Sequence, residues 1–290
     1  MKSVSLVLGS GGARGLAHIG VVRWLEENDY HIQSVSGCSM GALVGGIYAA
    51  GKLDDFESWV RAIKKLDIIT LLDVSWSKSG LVKGDKIINT LKDLVGDIKI
   101  EDLPMKYTAV AADVNEEKEI WINSGQLFHA IRASISLPMF FTPYHYNNAY
   151  LIDGGVLNPV PIAPTFSDKT DIIIAVNLGG KLTVKEKEKN KSANEIKSNK
   201  GISEKINSYI NQLKKKMDIH QKIDWDAYDI ANQAFDAMQS TIARQKLAAY
   251  PPDISIEIAR NACATLEFDR ADEMIELGYK SAQKSLSEFK

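Results

Sequence analysis

The chain has 290 residues, 45% hydrophobic and 25% charged, which is ordinary for a soluble globular protein with enough length for a sizeable core. A net charge of −2 gives no case for nucleic acid as a partner, and two cysteines, Cys38 and Cys263, are too few for a disulfide framework and fit a reducing cytoplasm. No apolar run reaches the length of a membrane span, and Lys2 followed by a short apolar run does not read as a signal peptide. The five histidines are scattered without metal-ligand spacing, so neither a metal nor another cofactor is expected.

In chain order, residues 4–8 read as a short β-branched and apolar strand. The glycine loop Gly9-Ser10-Gly11-Gly12-Ala13-Arg14-Gly15 follows, then an amphipathic helix over 16–27 and a second strand over 34–38. Such a β-loop-α-β unit implies parallel strands with a right-handed crossover. A helix over 42–51 comes next, with Gly45-Gly46 allowing close packing on the sheet. Further helices are expected over 54–66, 84–95 and 126–134, and strands over 107–113 and 120–122. The run 138–144, Pro-Met-Phe-Phe-Thr-Pro-Tyr, reads as core or as the lining of an acyl-chain pocket. Strands are expected over 150–152, 171–178 and 254–256, the last at a sheet edge, and a closing helix over 270–289. Residues 181–205, rich in Lys, Glu, Asn and Ser, read as a flexible charged insertion. A helical period returns from 206 to about 250. The expected organisation is one domain over 1–290, with the helical part 206–290 packing on it. Its architecture is three-layer α/β/α around a mainly parallel sheet.

Two motifs carry candidate chemistry. Gly37-Cys38-Ser39-Met40-Gly41 has the Gly-x-Ser-x-Gly pattern of a nucleophile elbow, between a strand and a helix as that turn requires. Ser39 is the candidate nucleophile, and a Cβ at Gly37 or Gly41 is expected to crowd it. The glycine loop admits three readings. As a dinucleotide fingerprint it lacks an acidic residue at the end of the second strand. As an oxyanion hole it offers the amides of Gly11 and Gly12, with Arg14 adding positive charge. As an ordinary turn it is merely glycine-rich. A third feature, Asp153-Gly154-Gly155 after a strand, is either an Asp-Gly turn or a catalytic acid at a strand end. Only His220 follows Asp153, in a charged segment, so the residues point to Asp153 itself as the group that accepts the Ser39 proton.

These blocks, with Ala248-Ala249-Tyr250-Pro251-Pro252-Asp253, resemble the patatin-like phospholipases, in particular the bacterial branch similar to the catalytic domain of neuropathy target esterase. The likeness covers residues 4–180 well and the C-terminal region more loosely. It implies a patatin-like fold and a Ser-Asp dyad, Ser39 and Asp153, acting on phospholipids, lysophospholipids or simple esters. It also implies an oxyanion site in the glycine loop, with Gly154 supporting the base. Ser10 stands where the family loop usually has glycine, and the 181–205 segment is unexplained by the likeness. The substrate class implies transient, peripheral contact with a membrane. The competing class is a non-catalytic lipid-binding or regulatory protein on the same fold.

Overall fold

In a computed structural model, residues 1–71, 82–182 and 227–287 are described. The expected insertion from 183 to 205, the helical period over 206–226 and His220 lie outside them. The chain divides into a large unit, 1–183 with 234–290, and a smaller one, 184–233.

Eight strands form the sheet of the large unit: β1 (Lys2–Leu8), β2 (Tyr30–Cys38), β3 (Lys106–Asp113), β4 (Lys118–Ile122), β5 (Tyr144–Tyr146), β6 (Ala149–Asp153), β7 (Ile172–Gly180) and β8 (Ile254–Ala259). Their order is β5-β6-β3-β2-β1-β7-β8, with β4 paired to β3. The β1–β2, β2–β3, β1–β7 and β7–β8 pairs are parallel, while β4, β5 and β6 join antiparallel. The chain moves from β1 toward β3 on one side and later adds β7 and β8 on the other. The order therefore reverses at β1, and the glycine loop leaves that strand at the topological switch point where α/β sheets bind ligands.

The alternation along β1 sorts the layers. Val4, Leu6 and Leu8 face a core shared with α1 (Ala17–Glu27), α2 (Met40–Ala49), α3 (Leu53–Ala62), α5 (Asp85–Val95), α6 (Leu127–Ser134) and α8 (Ala271–Leu286). Val7 faces the opposite side, where Ala243 of α7 (Ala227–Ala249), Val160 and Ile162 cover it. Each fully buried Leu or Ile of these layers contributes about 1.5–3 kcal/mol of transfer free energy. This is a mixed α/β fold with a mostly parallel central sheet flanked by helices, as expected from the sequence.

Local boundaries differ in instructive ways. The helix expected over 54–66 is two, α3 and α4 (Lys65–Leu71), because Ile63 takes an extended conformation. Both N-terminal strands are longer than the apolar runs that signalled them. β1 begins at the exposed Lys2, and β2 at Tyr30, where the buried Tyr30 and Ile32 alternate with the exposed His31 and Gln33; pairing of the two strands starts at Lys2 and Tyr30. Tyr144, expected at the end of an aromatic run, begins β5, which turns through Asn147 and Asn148 (φ 46° and 64°) into β6. Asparagine tolerates such angles better than most residues, so the turn was legible in principle.

Candidate active site

The elbow owes its shape to backbone crowding. Ser39 follows β2 and caps α2 with φ 56° and ψ −125°, a conformation that costs a non-glycine residue of order 1–3 kcal/mol. A Cβ on Gly41 would lie 2.0 Å from the Leu8 carbonyl oxygen of β1, and one on Gly37 would lie 2.4 Å from the Gly41 carbonyl oxygen. Both glycines are thus required by neighbouring backbone, not by the serine side chain as the sequence suggested. The Ser39 amide donates to Ser134 Oγ at 2.9 Å, and Ser134 donates to the Val110 carbonyl of β3 at 2.7 Å. A serine at the end of α6 therefore ties the elbow to the adjacent strand.

Asp153 reaches the same place from the other direction. β4 pairs with one edge of β3 over Ala109–Asp113, so β2 and β6 must share the other edge, end to end. Cys38 is opposite Val110 and Asp153 is opposite Ala111, the next residue of β3. Parallel β2 and antiparallel β6 therefore terminate facing each other. Asp153 is completely buried and Ser39 is 7% exposed. Asp153 Oδ1 accepts the Gly155 amide at 2.8 Å and the Cys38 thiol at 3.7 Å. Its Oδ2 makes no hydrogen bond of standard geometry with a described group. The Ser39 side chain is nonetheless close enough to lower the carboxyl's proton affinity. Together these describe a hydroxyl beside the carboxylate rather than locked onto it. Burial dominates and pushes the Asp153 pKa from 3.8 up to about 6, against the opposing influence of the nearby Ser39 hydroxyl, the Gly155 amide and the Cys38 thiol.

The glycine loop divides its amides. Gly9 and Ser10 donate to the carbonyls of Val176 and Pro159, and Ala13 donates to that of Thr265. Gly11 and Gly12 have no backbone acceptor among the described residues. Gly12 has φ 56°, and a Cβ there would meet the Thr265 carbonyl oxygen at 2.5 Å. The Arg14 guanidinium bonds the Arg260 carbonyl at 3.0 Å and the Cys263 carbonyl at 3.3 Å, and lies 3.4 Å from Asp236 Oδ1. Arg14 therefore clamps the loop to the segment after β8. Gly154 packs on β3, where a Cβ would lie 2.2 Å from the Val110 carbonyl oxygen.

Ser39 also opens onto an apolar pocket of about 850 Å³, its solvent mouth included. Gly12, Leu16, Met40 and Leu43 line it near the elbow, and Phe56, Trp59, Val60 and Ile63 line it from α3 and its end. Ile68 and Leu71 of α4, Ile87 and Leu91 of α5, and Leu137, Phe140 and Phe141 complete much of the wall. The aromatic run thus lines a pocket. Arg132 of α6 holds that wall. This buried cation donates to the Lys83 carbonyl and, at 3.1 Å, to the Thr142 carbonyl, and stands 5.3 Å from the Phe141 ring centre. Sequence reading passed over both Arg132 and Ser134. Neither stands out in the sequence, because α6 also carries the exposed His129 among its apolar residues.

Two of the described histidines are engaged away from Ser39. His18 is buried on Gly9, its Nε2 2.8 Å from the carbonyl oxygen, and burial lowers its pKa to about 4. His129 bonds the Tyr144 hydroxyl. Among the described residues no group of His, Cys, Asp and Glu could hold a metal ion, and no helix is long and apolar enough to cross a membrane.

Fold and site define an α/β protein with an elbow serine facing a buried carboxylate at the end of an apolar pocket. The profile of the patatin-like phospholipases matches residues 6–166, more than half of the sequence, and the chain belongs to that family. Uncharacterized NTE family proteins of Mycobacterium bovis and Mycobacterium tuberculosis are 34% identical over 99% of this chain and 92% of their own length. The lysophospholipase NTE1 of Eremothecium gossypii is 30% identical over 61% of this chain, which spans only 12% of that protein. Among solved structures, VipD from Legionella pneumophila aligns with a TM-score of 0.48 and 15% identity, over 99% of this chain and 67% of its own.

Proposed function

We propose that this protein is a serine acyl hydrolase of lipid esters, phospholipids or lysophospholipids, working through a Ser39–Asp153 dyad. The observation that carries the reading is the end-to-end meeting of β2 and β6 on β3, which sets a buried carboxylate beside the elbow serine at the head of an apolar pocket. Family membership supports lipid-ester hydrolysis, and the NTE1 relatives carry the name lysophospholipase.

In the acylation step the Ser39 Oγ–H proton passes to Asp153 while Oγ bonds the ester carbonyl carbon. The carbonyl oxygen becomes an oxyanion, held by the amides of Gly11 and Gly12. Each such donor is worth about 2.7–4 kcal/mol of barrier. Arg14 acts through the loop it clamps. The C–O bond to the alcohol then breaks and the alcohol leaves with the proton from Asp153. Water attacks the acyl-enzyme, giving its proton to Asp153, and the proton returns to Ser39 as the fatty acid departs. A carboxyl with a pKa of about 6 is a stronger base than an exposed aspartate and is still ionised at neutral pH.

The pocket takes the acyl chain, and contact with a lipid surface is peripheral. The test is hydrolysis of a defined panel of phospholipids, lysophospholipids and short esters, with Ser39→Ala as control. Labelling of Ser39 by a fluorophosphonate is expected alongside. Binding of lipid without hydrolysis or labelling would overturn the reading in favour of a binding protein.

A further inference from the structure

Among the described residues, Cys38 is a buried nucleophilic side chain in contact with Asp153 that the proposed reaction leaves unused. It is wholly inaccessible and stands one residue before Ser39, its Sγ 3.7 Å from Asp153 Oδ1. Burial, and then the charge of Asp153, hold the thiol far above its ordinary pKa, so it stays a neutral S–H and a donor. It cannot compete with Ser39 for the substrate, since the reactive form of cysteine is the thiolate and no path leads to it.

What it does touch is the base. Oδ1 has two donors, the Gly155 amide at 2.8 Å and the Cys38 thiol. Oδ2 has none of standard geometry. One oxygen is thus anchored and the other left for the serine proton. We propose that Cys38 is a positioning residue that orients the Asp153 carboxylate through Oδ1 while drawing little of its basicity. The proposal rests on the Ser39–Asp153 reading above. The chemistry explains why a thiol suits this place. A hydroxyl would be a strong donor to the carboxylate and would favour the ionised form, making a weaker base. An alkyl group would give no donor and leave Oδ1 tied only to Gly155. A thiol is a weak donor and fills the space.

Among the described residues, few other charges act on the pair. Ser39 and Gly155 contribute neutral donors from the elbow and from the turn after β6. From β4, the Glu119 charge adds to the effect on Cys38. Its burial is outweighed by hydrogen bonds from Lys246 of α7, Asn158 and Trp121, so it stays ionised and paired. A pH dependence near 6 therefore belongs to Asp153.

The experiment is the pH profile of kcat/KM on p-nitrophenyl butyrate for the full chain and its Cys38→Ser and Cys38→Ala variants, each with fluorophosphonate labelling. The acidic limb is expected in the order Ser, Cys, Ala from low to high pH. Adjacent variants should be separated by about half a pH unit, the effect of one donor of altered strength on a carboxylate. Cys38→Ser should also turn over more slowly at pH 8, where the carboxylate is ionised in all three. Superimposed limbs, or limbs shifted the same way by Ser and Ala, would overturn the role of Cys38 while leaving the dyad standing. Wild-type turnover in Ser39→Ala would instead remove the dyad on which the role depends.

Discussion

The two sides of Ser39 are built differently. Toward Asp153, positions are set mainly by backbone: the Leu8 carbonyl against Gly41, the Val110 carbonyl against Gly154, and β2 and β6 meeting on one edge of β3, with the Ser134 hydroxyl and the Cys38 thiol as side-chain ties. Toward the pocket, the walls are side chains of α3, α4 and α5 and of the 137–141 loop. Arg132 and the Val82–Phe141 bridge hold that loop. A sheet edge places atoms to within fractions of an ångström because its ladder is cooperative. Side-chain walls repack at modest cost. Changes on the first side should therefore alter rate, and changes on the second should alter which chain is accepted.

The largest effect should come from Ser39→Ala, with ester hydrolysis down by at least ~10⁴-fold. Its melting temperature should stay close to wild type, since only a hydroxyl is removed. An active variant would break the comparison at its centre.

Asp153→Asn should lose roughly 10²–10⁴-fold of turnover yet gain stability. The folded protein holds the Asp153 proton up to a pKa of about 6, against 3.8 for the ordinary group. The stability this group contributes is therefore full below about pH 4 and lost as pH rises through 6. Above that the buried charge costs roughly 3 kcal/mol. Thermal melts should show Asn above wild type at pH 8 and the difference closing toward pH 4. Wild-type kcat/KM should correspondingly rise through pH 6 and level off.

Gly41→Ala sets a Cβ against the Leu8 carbonyl, and strand and helix must separate. A destabilisation of about 3 kcal/mol is expected, read as a melting temperature lower by on the order of 5–10 °C. Residual activity should fall with it, because the elbow moves off the sheet.

The mildest change sharpens the other side. Arg132→Met removes the bonds to the Lys83 and Thr142 carbonyls that hold Phe141 in the wall. Long-chain esters should lose about tenfold in kcat/KM, with short esters affected only a few-fold. An equal loss on both would mean that the wall also governs the chemistry.

Much of the sheet side was legible in advance. Gly37, Ser39 and Gly41 announce a strained turn, because only that pattern fits a serine with positive φ between a strand and a helix. Asp153 announced itself at a strand end. The pocket side was far less legible. Phe56, Phe140 and Leu91 read as amphipathic periodicity or an apolar run, and periodicity does not say whether an apolar face meets core or cavity. Arg132, Ser134 and Cys38 looked like ordinary residues of their elements, since the Thr142, Val110 and Asp153 groups they bind are 10, 24 and 115 positions away.

By itself the sequence determined the class of fold and the strand-turn-helix setting of Gly37-Cys38-Ser39-Met40-Gly41. These follow from local rules, namely hydrophobic period, glycine demand and residue inventory. Only the tertiary structure decided that β6 runs antiparallel into the end of β2, that Arg14 turns toward the carbonyls after β8, and that burial lifts Asp153 toward neutrality. Those depend on strand direction, on distant partners and on exclusion of water, none of which is a property of neighbouring residues in the chain.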